Sequence, residues 1–366
     1  MHTRVLRGEG GAARRWALVS GMLVTGVCNS IICKWQDMQC VEGCGPGERA
    51  VTFSQPVWQT LQMFVGELLC IVPLCVGARR RAPEHAPEHA PLLARRALDV
   101  RTAVSFAVPA MCDILATTLM NVALLLMPVS IYQMTRGVLV LWVGLFSVLL
   151  LHYRLRVDQW LSLALVVAGV GVVGLSSVVS APDTHAHSAV STIAGLAVIP
   201  LAQMFAALQF VAEERIMAEH DVEPVAVVAL EGLFGTAIVL VLMPVLHWTV
   251  GRTPAGRGGV FDVVAGFRQI VGSPAVMQGM VLLAVSVSLY NMLGLHVTRV
   301  VSATARSTLD TSRSLGVWAV SVALGWEALE PLGTSVQIAG FALLVYGTSV
   351  FNGIVAPARW MTCWGD

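Results

Sequence analysis

Charge is what this chain has least of. Only 12% of its 366 residues are charged, where soluble domains carry about 25%. So thin a polar coat cannot cover a core of this length, which excludes an ordinary soluble enzyme. A hydrophobic fraction of 56% likewise excludes a disordered chain. The 23 cations and 22 acids leave a formal net charge of +1, so nucleic acid held by net charge is not a partner. Lysine is nearly absent: Lys34 is the one lysine among the cations, and codon usage is the plain explanation. Reactive signatures are missing too. There is no phosphate-binding loop ending Gly-Lys-Ser/Thr, no HExxH, no GxSxG and no paired-carboxylate motif at a water interface, so neither an ATPase nor a membrane enzyme is expected. The eight cysteines include no CxxC and no histidine pair at zinc spacing, so neither a metal nor a cofactor is expected. What remains is a polytopic membrane protein, with lipid bilayer as its solvent and its backbone polar groups satisfied inside helices.

A spanning helix needs about 17–25 mostly apolar residues. Ten stretches qualify: 16–33, 56–78, 102–126, 129–151, 159–179, 192–214, 225–249, 277–297, 303–325 and 333–355. Pro56 and Pro224 sit in the first turn of two of them, where a missing N–H does no harm. Pro109 and Pro200 lie inside and predict kinks. The first stretch follows Arg4, Arg7, Arg14 and Arg15 but has no small-residue cleavage pattern after it. It therefore reads as an uncleaved first helix rather than a signal peptide. With the N-terminus placed in the cytosol, fifteen cations fall in cytosolic segments. Five (Lys34, Arg49, Arg252, Arg257 and Arg268) fall on the other side, and Arg136, Arg306 and Arg313 lie inside the apolar stretches. This bias predicts both termini in the cytosol. Residues 79–101, with the Ala-Pro-Glu-His repeat, read as a Pro-rich cytosolic loop whose His85 and His89 are solvated.

The two sets of five stretches resemble one another in order. Pro56-Val57 and Phe64-Val65-Gly66 correspond to Pro224-Val225 and Leu233-Phe234-Gly235. Leu119-Met120-Asn121 corresponds to Leu289-Tyr290-Asn291, Val129-Ser130 to Val301-Ser302, and Gln133, Thr135 and Arg136 to Asp310, Ser312 and Arg313. An odd number of helices per repeat forces opposite topologies. The expected fold class is therefore all-α integral membrane: ten transmembrane helices as two inverted five-helix repeats, with a binding site near the midplane. The organisation follows: a cytosolic tail at 1–15, one repeat at 16–179, the second at 192–355 and a cytosolic tail at 356–366.

These motifs resemble those of the drug/metabolite transporter superfamily, in its EamA-like and nucleotide-sugar-transporter-like branch, and within it the F subfamily of solute carrier family 35. The residues that carry the resemblance are Lys34-Trp35-Gln36-Asp37, Glu42-Gly43-Cys44-Gly45, Met63-Phe64-Val65-Gly66-Glu67, Pro109-Ala110-Met111-Cys112-Asp113 and Tyr132-Gln133-Met134-Thr135-Arg136-Gly137. In the second half they are Glu231-Gly232-Leu233-Phe234-Gly235, Ser302-Ala303-Thr304-Ala305-Arg306, Leu309-Asp310, Arg313 and Ala323-Leu324-Gly325-Trp326-Glu327. The resemblance implies a secondary carrier of a small metabolite working by alternating access. It also implies a Golgi, endosomal or lysosomal membrane.

A charged side chain at the bilayer centre costs about 2.5–3.5 kcal/mol on insertion scales, so each one asks for a role and a partner. At 100° per residue, Arg306, Asp310 and Arg313 fall within about 60° of one another on a helix. Gln133 and Arg136 share a face of the repeat-related stretch. Facing each other, the two would form a wall rich in guanidinium groups, which bind phosphate and carboxylate bidentately. One reading is a cavity that receives an anionic or zwitterionic solute, with Tyr132, Gln203 and Asn291 contributing. The other is an ion-pair network that fixes helix packing, as in a non-transporting scaffold or adaptor. Glu67, Glu231 and Asp113 either carry protons during transport or are held by arginine and never titrate. Cys40 and Cys44 are candidates for a disulfide, which their spacing alone does not decide. The small residues Ala164, Ala168, Gly171, Gly340 and Gly347 suit close helix packing, within one chain or across a homodimer.

Overall fold

The structure, a computed structural model, describes residues 9–45, 50–80, 100–126, 132, 135–179, 189–254, 256–326, 331–351 and 355–358. Gln133, nearly all of the 79–101 loop and most of both tails lie outside them. Helix α1 (Glu9–Asp37) is followed by a short antiparallel pair, β1 (Cys40–Glu42) and β2 (Val51–Thr52), with Cys40 opposite Thr52. The second predicted stretch is broken into α2 (Pro56–Leu68) and α3 (Ile71–Arg80), the third into α4 (Val100–Ser105) and α5 (Ala107–Leu126). Both breaks have one cause. Pro73 has no N–H for the carbonyl of Leu69, and Pro109 has none for that of Ser105, four residues back. In each case the helix lapses into a turn just there. The interruption ahead of Pro109 was expected, and that ahead of Pro73 follows the same rule.

A 3₁₀ turn (Arg136–Val138) leads into α6 (Leu139–Leu150), α7 (Val157–Val179) and α8 (Ala189–His220), and α8 runs through Pro200 without a break. Then come α9 (Pro224–Leu246), a π-turn (His247–Gly251), α10 (Val263–Gly272), α11 (Pro274–Val300), α12 (Ala303–Ala323) and α13 (Pro331–Phe351). Among the described residues, six stretches are long and apolar enough to cross a membrane: Arg15–Asp37, Pro56–Cys75, Val100–Ala123, Ile193–His220, Pro224–Gly251 and Pro274–Val300. Apolar helices at Arg136–Leu150, Val157–Val172 and Ile338–Phe351 are shorter, and the apolar run of α12 is interrupted by Arg306, Asp310 and Arg313. Large apolar side chains such as Val241 on α9 and Val281 on α11 stand uncovered, 68% and 60% exposed. Water would not tolerate such faces on a monomer, whereas acyl chains do. The chain is a mostly helical, multi-pass membrane protein.

The chain divides into two compact units. The first comprises Met1–Val27, Cys112–Arg215 and Val300–Asp366. In it α7 and α13 pack through small residues. A Cβ added at Gly169 would lie 2.7 Å from the Gly340 carbonyl oxygen, and one at Gly347 would lie 2.8 Å from that of Ser162. Without a hydrophobic drive between helices in lipid, such close backbone approach supplies the dispersion energy. Gly169, Gly340 and Gly347 therefore meet their neighbours within one chain. A second core joins Ala116, Leu139, Val143, Ala207, Phe210 and Ala303 from α5, α6, α8 and α12.

The second unit comprises Cys28–Met111 and Ile216–Arg299. Its α2 and α9 touch where Gly235 faces the Phe64 ring and Gly232 faces the Glu67–Leu68 backbone. Cys70, Phe106, Val227, Val228 and Leu295 fill the core beside them. At one end the short strands meet α10. Trp58 Nε1 donates to the Val263 carbonyl (3.1 Å), Gln55 Nε2 to Gln269 Oε1 (3.2 Å), and Phe53, Ile270 and Val276 pack together. Cys40 and Cys44 are joined by a disulfide. Neither the strand pair nor α10 is visible in the sequence, since both are too short to show a period.

Asp262 caps α10. Its carboxylate accepts from the amides of Gly258 (3.0 Å) and Ala265 (3.1 Å), and His247 Nδ1 lies 3.6 Å away. These amides, Gly258 first, hold the carboxyl below its ordinary range. A depressed carboxyl contributes stability above its unfolded value near pH 4, and that stability is lost as pH falls through the folded value. Asp262→Ala is expected to cost about 1 kcal/mol at neutral pH. Hydrogen exchange of the α10 amides should show the loss, and the gap from wild type should close on acidification.

Candidate functional site

Helix α12 is the polar helix of the first unit. Ser302 caps it, its Oγ accepting from the Ala305 amide at 3.1 Å. Ser307, Thr308 and Thr311 turn their hydroxyls onto carbonyls three or four residues back, which satisfies donors that lipid cannot. Arg306, Asp310 and Arg313 are all buried, as their common face predicts.

Asp310 is the centre of one cluster. Arg313 Nη2 lies 3.0 Å from its Oδ1, and Arg136 Nη2, brought in by the 3₁₀ turn, lies 3.7 Å from Oδ2. The Arg136 guanidinium also stands over the ring of Tyr132, 5.9 Å from its centroid, within cation–π range. Arg136 and Arg313 thus flank one carboxylate. Arg136 is the accessible member: its side chain is 17% exposed against 8% for Asp310 and 6% for Arg313. Among the described residues its buried Nε hydrogen-bonds to nothing. Tyr132 is buried against Ala123 and Ile199, and Gln203 of α8 donates to Met120 Sδ at 3.3 Å.

Arg306 belongs to a second cluster. It pairs with Glu213 on α8, and the Phe210 ring lies 3.9 Å from its guanidinium carbon. Asp113 on α5 stands in the field of both Glu213 and Arg306 and accepts hydrogen bonds from Thr117 and Gln209. Sequence reading misses Glu213, because the run Glu213-Glu214-Arg215 looks like a solvated collar at the end of an apolar stretch. Glu214 ties down the start of α12, accepting from the Tyr153 hydroxyl (2.9 Å) and the Ala303 amide (2.8 Å). Partial burial and the charge of Glu214 push the Tyr153 phenol up to about 12, so it donates throughout the physiological range.

The second unit holds the remaining candidates. Glu67 on α2 accepts from the side-chain amide of Asn291 on α11. One turn along, Cys70 Sγ and Ser288 Oγ lie 3.0 Å apart. Glu231 is buried on α9, next to the glycine that faces the Glu67 backbone. Asn291 is thus engaged by Glu67. The structure brings Arg136, Asp310 and Arg313 together, and Arg306 with Asp113.

Comparison with known proteins follows the same lines. The profile of the nucleotide-sugar transporter family matches residues 54–305. Human (Homo sapiens) solute carrier family 35 member F6 is 37% identical over 338 residues, covering 92% of this chain and 88% of its own. An uncharacterised protein of Schizosaccharomyces pombe is 36% identical over 339 residues, covering 91% and 96%. The UDP-galactose translocator of Canis lupus familiaris is 31% identical over 159 residues, covering 43% and 38%.

Proposed function

The chain belongs to the nucleotide-sugar transporter family, and from that premise we propose that it carries a small anionic or zwitterionic metabolite by alternating access. The ten predicted spans would form two inverted five-helix repeats, with both termini cytosolic. The observation that carries the reading is the cluster in the first unit, where Arg136 and Arg313 converge on Asp310. Guanidinium groups bind carboxylate and phosphate bidentately, so a carboxylate or phosphate of the solute would find its partners here. Arg136, more exposed than its partners and with its Nε unmatched among the described residues, would make first contact. The partial relative named for UDP-galactose supports an anionic solute, since a diphosphate is negatively charged. Glu67, Glu231 and Asn291 would form the counterpart polar set in the second unit. A disulfide in the Cys40–Cys44 segment suits the oxidising lumen of a Golgi, endosomal or lysosomal membrane. A homodimer through α7 and α13 would have to use the surface their mutual packing leaves outward, where a Cβ added at Gly171 would meet no neighbouring element within 4 Å.

Ligand-dependent thermal stabilisation tests the reading. Nucleotides, nucleotide sugars, amino acids and small peptides are to be compared on wild type and on Arg136→Gln. Anionic members should raise the melting midpoint of the wild type. Loss of a charge-assisted contact should weaken their binding about 10- to 100-fold in the variant. Equal stabilisation of both proteins would remove Arg136 from the site.

A further inference from the structure

Helix α10 is too short to cross a membrane. Its 10 residues reach about 15 Å, half of a hydrocarbon core about 30 Å thick. It is joined on both sides to helices that are long enough, α9 and α11, so it lies where those spans end. Its two faces differ. Gly266, Gln269 and Ile270 are buried: Gly266 lies against the Trp58 ring, Gln269 accepts from the Gln55 amide, and Ile270 packs with Phe53 and Val276. The other face carries Val264, Phe267, Arg268 and Val271, all exposed, at the i, i+3, i+4, i+7 spacing of one helical stripe. Phe267 is 54% exposed in spite of its contact with Trp58. A second bare aromatic stands nearby. Trp248, in the π-turn that follows α9, is 70% exposed, and the Arg252 guanidinium carbon lies 4.9 Å from its ring centroid. Gly251 of that turn backs directly onto the Phe261 carbonyl, and His247 meets Asp262, so the turn is packed against the start of α10.

We propose that α10 lies flat in the phospholipid interface, with Val264, Phe267 and Val271 at the acyl boundary and Arg252 and Arg268 on lipid phosphates. Three observations select lipid as the occupant. The first is continuity. Apolar side chains are bare on α9 up to its end (Val245, then Trp248) and on α11 from its first turns (Met277, Val281), so the stripe of α10 joins two faces that acyl chains already cover. The second is composition. An apolar stripe edged by arginine, with an aromatic ring beside it, is the make-up of a helix that rests at headgroup level. The third is charge. Arg252, Arg257 and Arg268 are exposed around the stripe. The acids near them face elsewhere: Asp262 is held by the Gly258 and Ala265 amides, and Glu42 accepts from Gln269 on the buried face. Phosphate is the anion that such a rim meets at this depth. Held by its inner face to α2 and by its ends to α9 and α11, the helix would fix the level at which these spans sit in the bilayer. The proposal does not rest on the carrier reading, and its test needs no solute.

Photocrosslinking of the full-length protein in nanodiscs tests it. The probe is Phe267→p-benzoylphenylalanine, an exposed aromatic exchanged for another, with Val264→p-benzoylphenylalanine as the second position should the first fail to fold. The discs contain phosphatidylcholine and phosphatidylserine in equal parts, and mass spectrometry reads the adducts. Illumination should attach phospholipid to the α10 peptide, with phosphatidylserine enriched about fivefold. Adding Arg252→Gln and Arg268→Gln to the probe protein should lower that enrichment severalfold while lipid adducts persist. Absence of phospholipid adducts at both positions, crosslinks to a second copy of the chain in their place, or an enrichment unchanged by the arginine substitutions overturns the proposal.

Discussion

Arg306→Ala is expected to lose about 3–5 kcal/mol of stability, a large part of the roughly 5–15 kcal/mol that holds an ordinary domain together. The guanidinium is almost completely buried, pairs with a carboxylate that is itself fully buried, and lies under the Phe210 ring. Removing it strands Glu213 and Asp113 together without their shared cation and opens a hole beside Phe210. The loss belongs to the broken pair, not to the absence of charge. Replacing both partners by apolar groups of similar volume, Arg306→Met with Glu213→Leu, should recover most of the folded yield. Fluorescence-detected size exclusion and thermal melting compare the three proteins. Single and double variants that melt alike would show that the pair is not closed in the folded protein.

Gly232→Val should abolish folding of the second unit. A Cβ at this position would overlap the amide nitrogen of Leu68 and the carbonyl carbon of Glu67. These are backbone atoms of a neighbouring helix, which cannot swing aside as a side chain does. Overpacking typically costs about 1–3 kcal/mol, and here both the helix spacing and the place of Glu67 would have to change. Even Gly232→Ala should destabilise measurably. Gly171 is the control. It sits in a helix, but a Cβ added there would meet nothing within 4 Å outside its own turn, so Gly171→Ala should be neutral or stabilising by up to about 1 kcal/mol. A Gly232→Val protein that melts with the wild type would contradict the packing of α2 on α9.

What the sequence made legible, and what it hid, divides along the reach of local rules. Hydropathy over about 20 residues is a strong signal, so the stretches that become helices were visible. Proline chemistry acts over four residues, so the break ahead of Pro109 was visible too. The 100° spacing placed Arg306, Asp310 and Arg313 on one face, and the structure buries all three. Partner choice is not local. Arg306 finds Glu213, 93 residues away, and nothing in the pattern around Glu213 separates a buried counter-ion from a solvated collar. Asn291 groups with the solute-facing residues because its span flanks the ninth, and its contact with Glu67, 224 residues away, is equally out of reach of a local rule. The strand pair and α10 depend on Gln55, Trp58 and Gln269 meeting across more than 200 residues, which no window can see.

The central claim is that the cation centre on α12 receives the anionic group of a transported solute. Counterflow into proteoliposomes tests it most directly, with wild type and Arg136→Gln reconstituted at equal folded amount and a labelled nucleotide sugar as probe. The account predicts accumulation by the wild type and a rate about 10- to 100-fold lower in the variant at subsaturating solute. Accumulation by Arg136→Gln at the wild-type rate would contradict it.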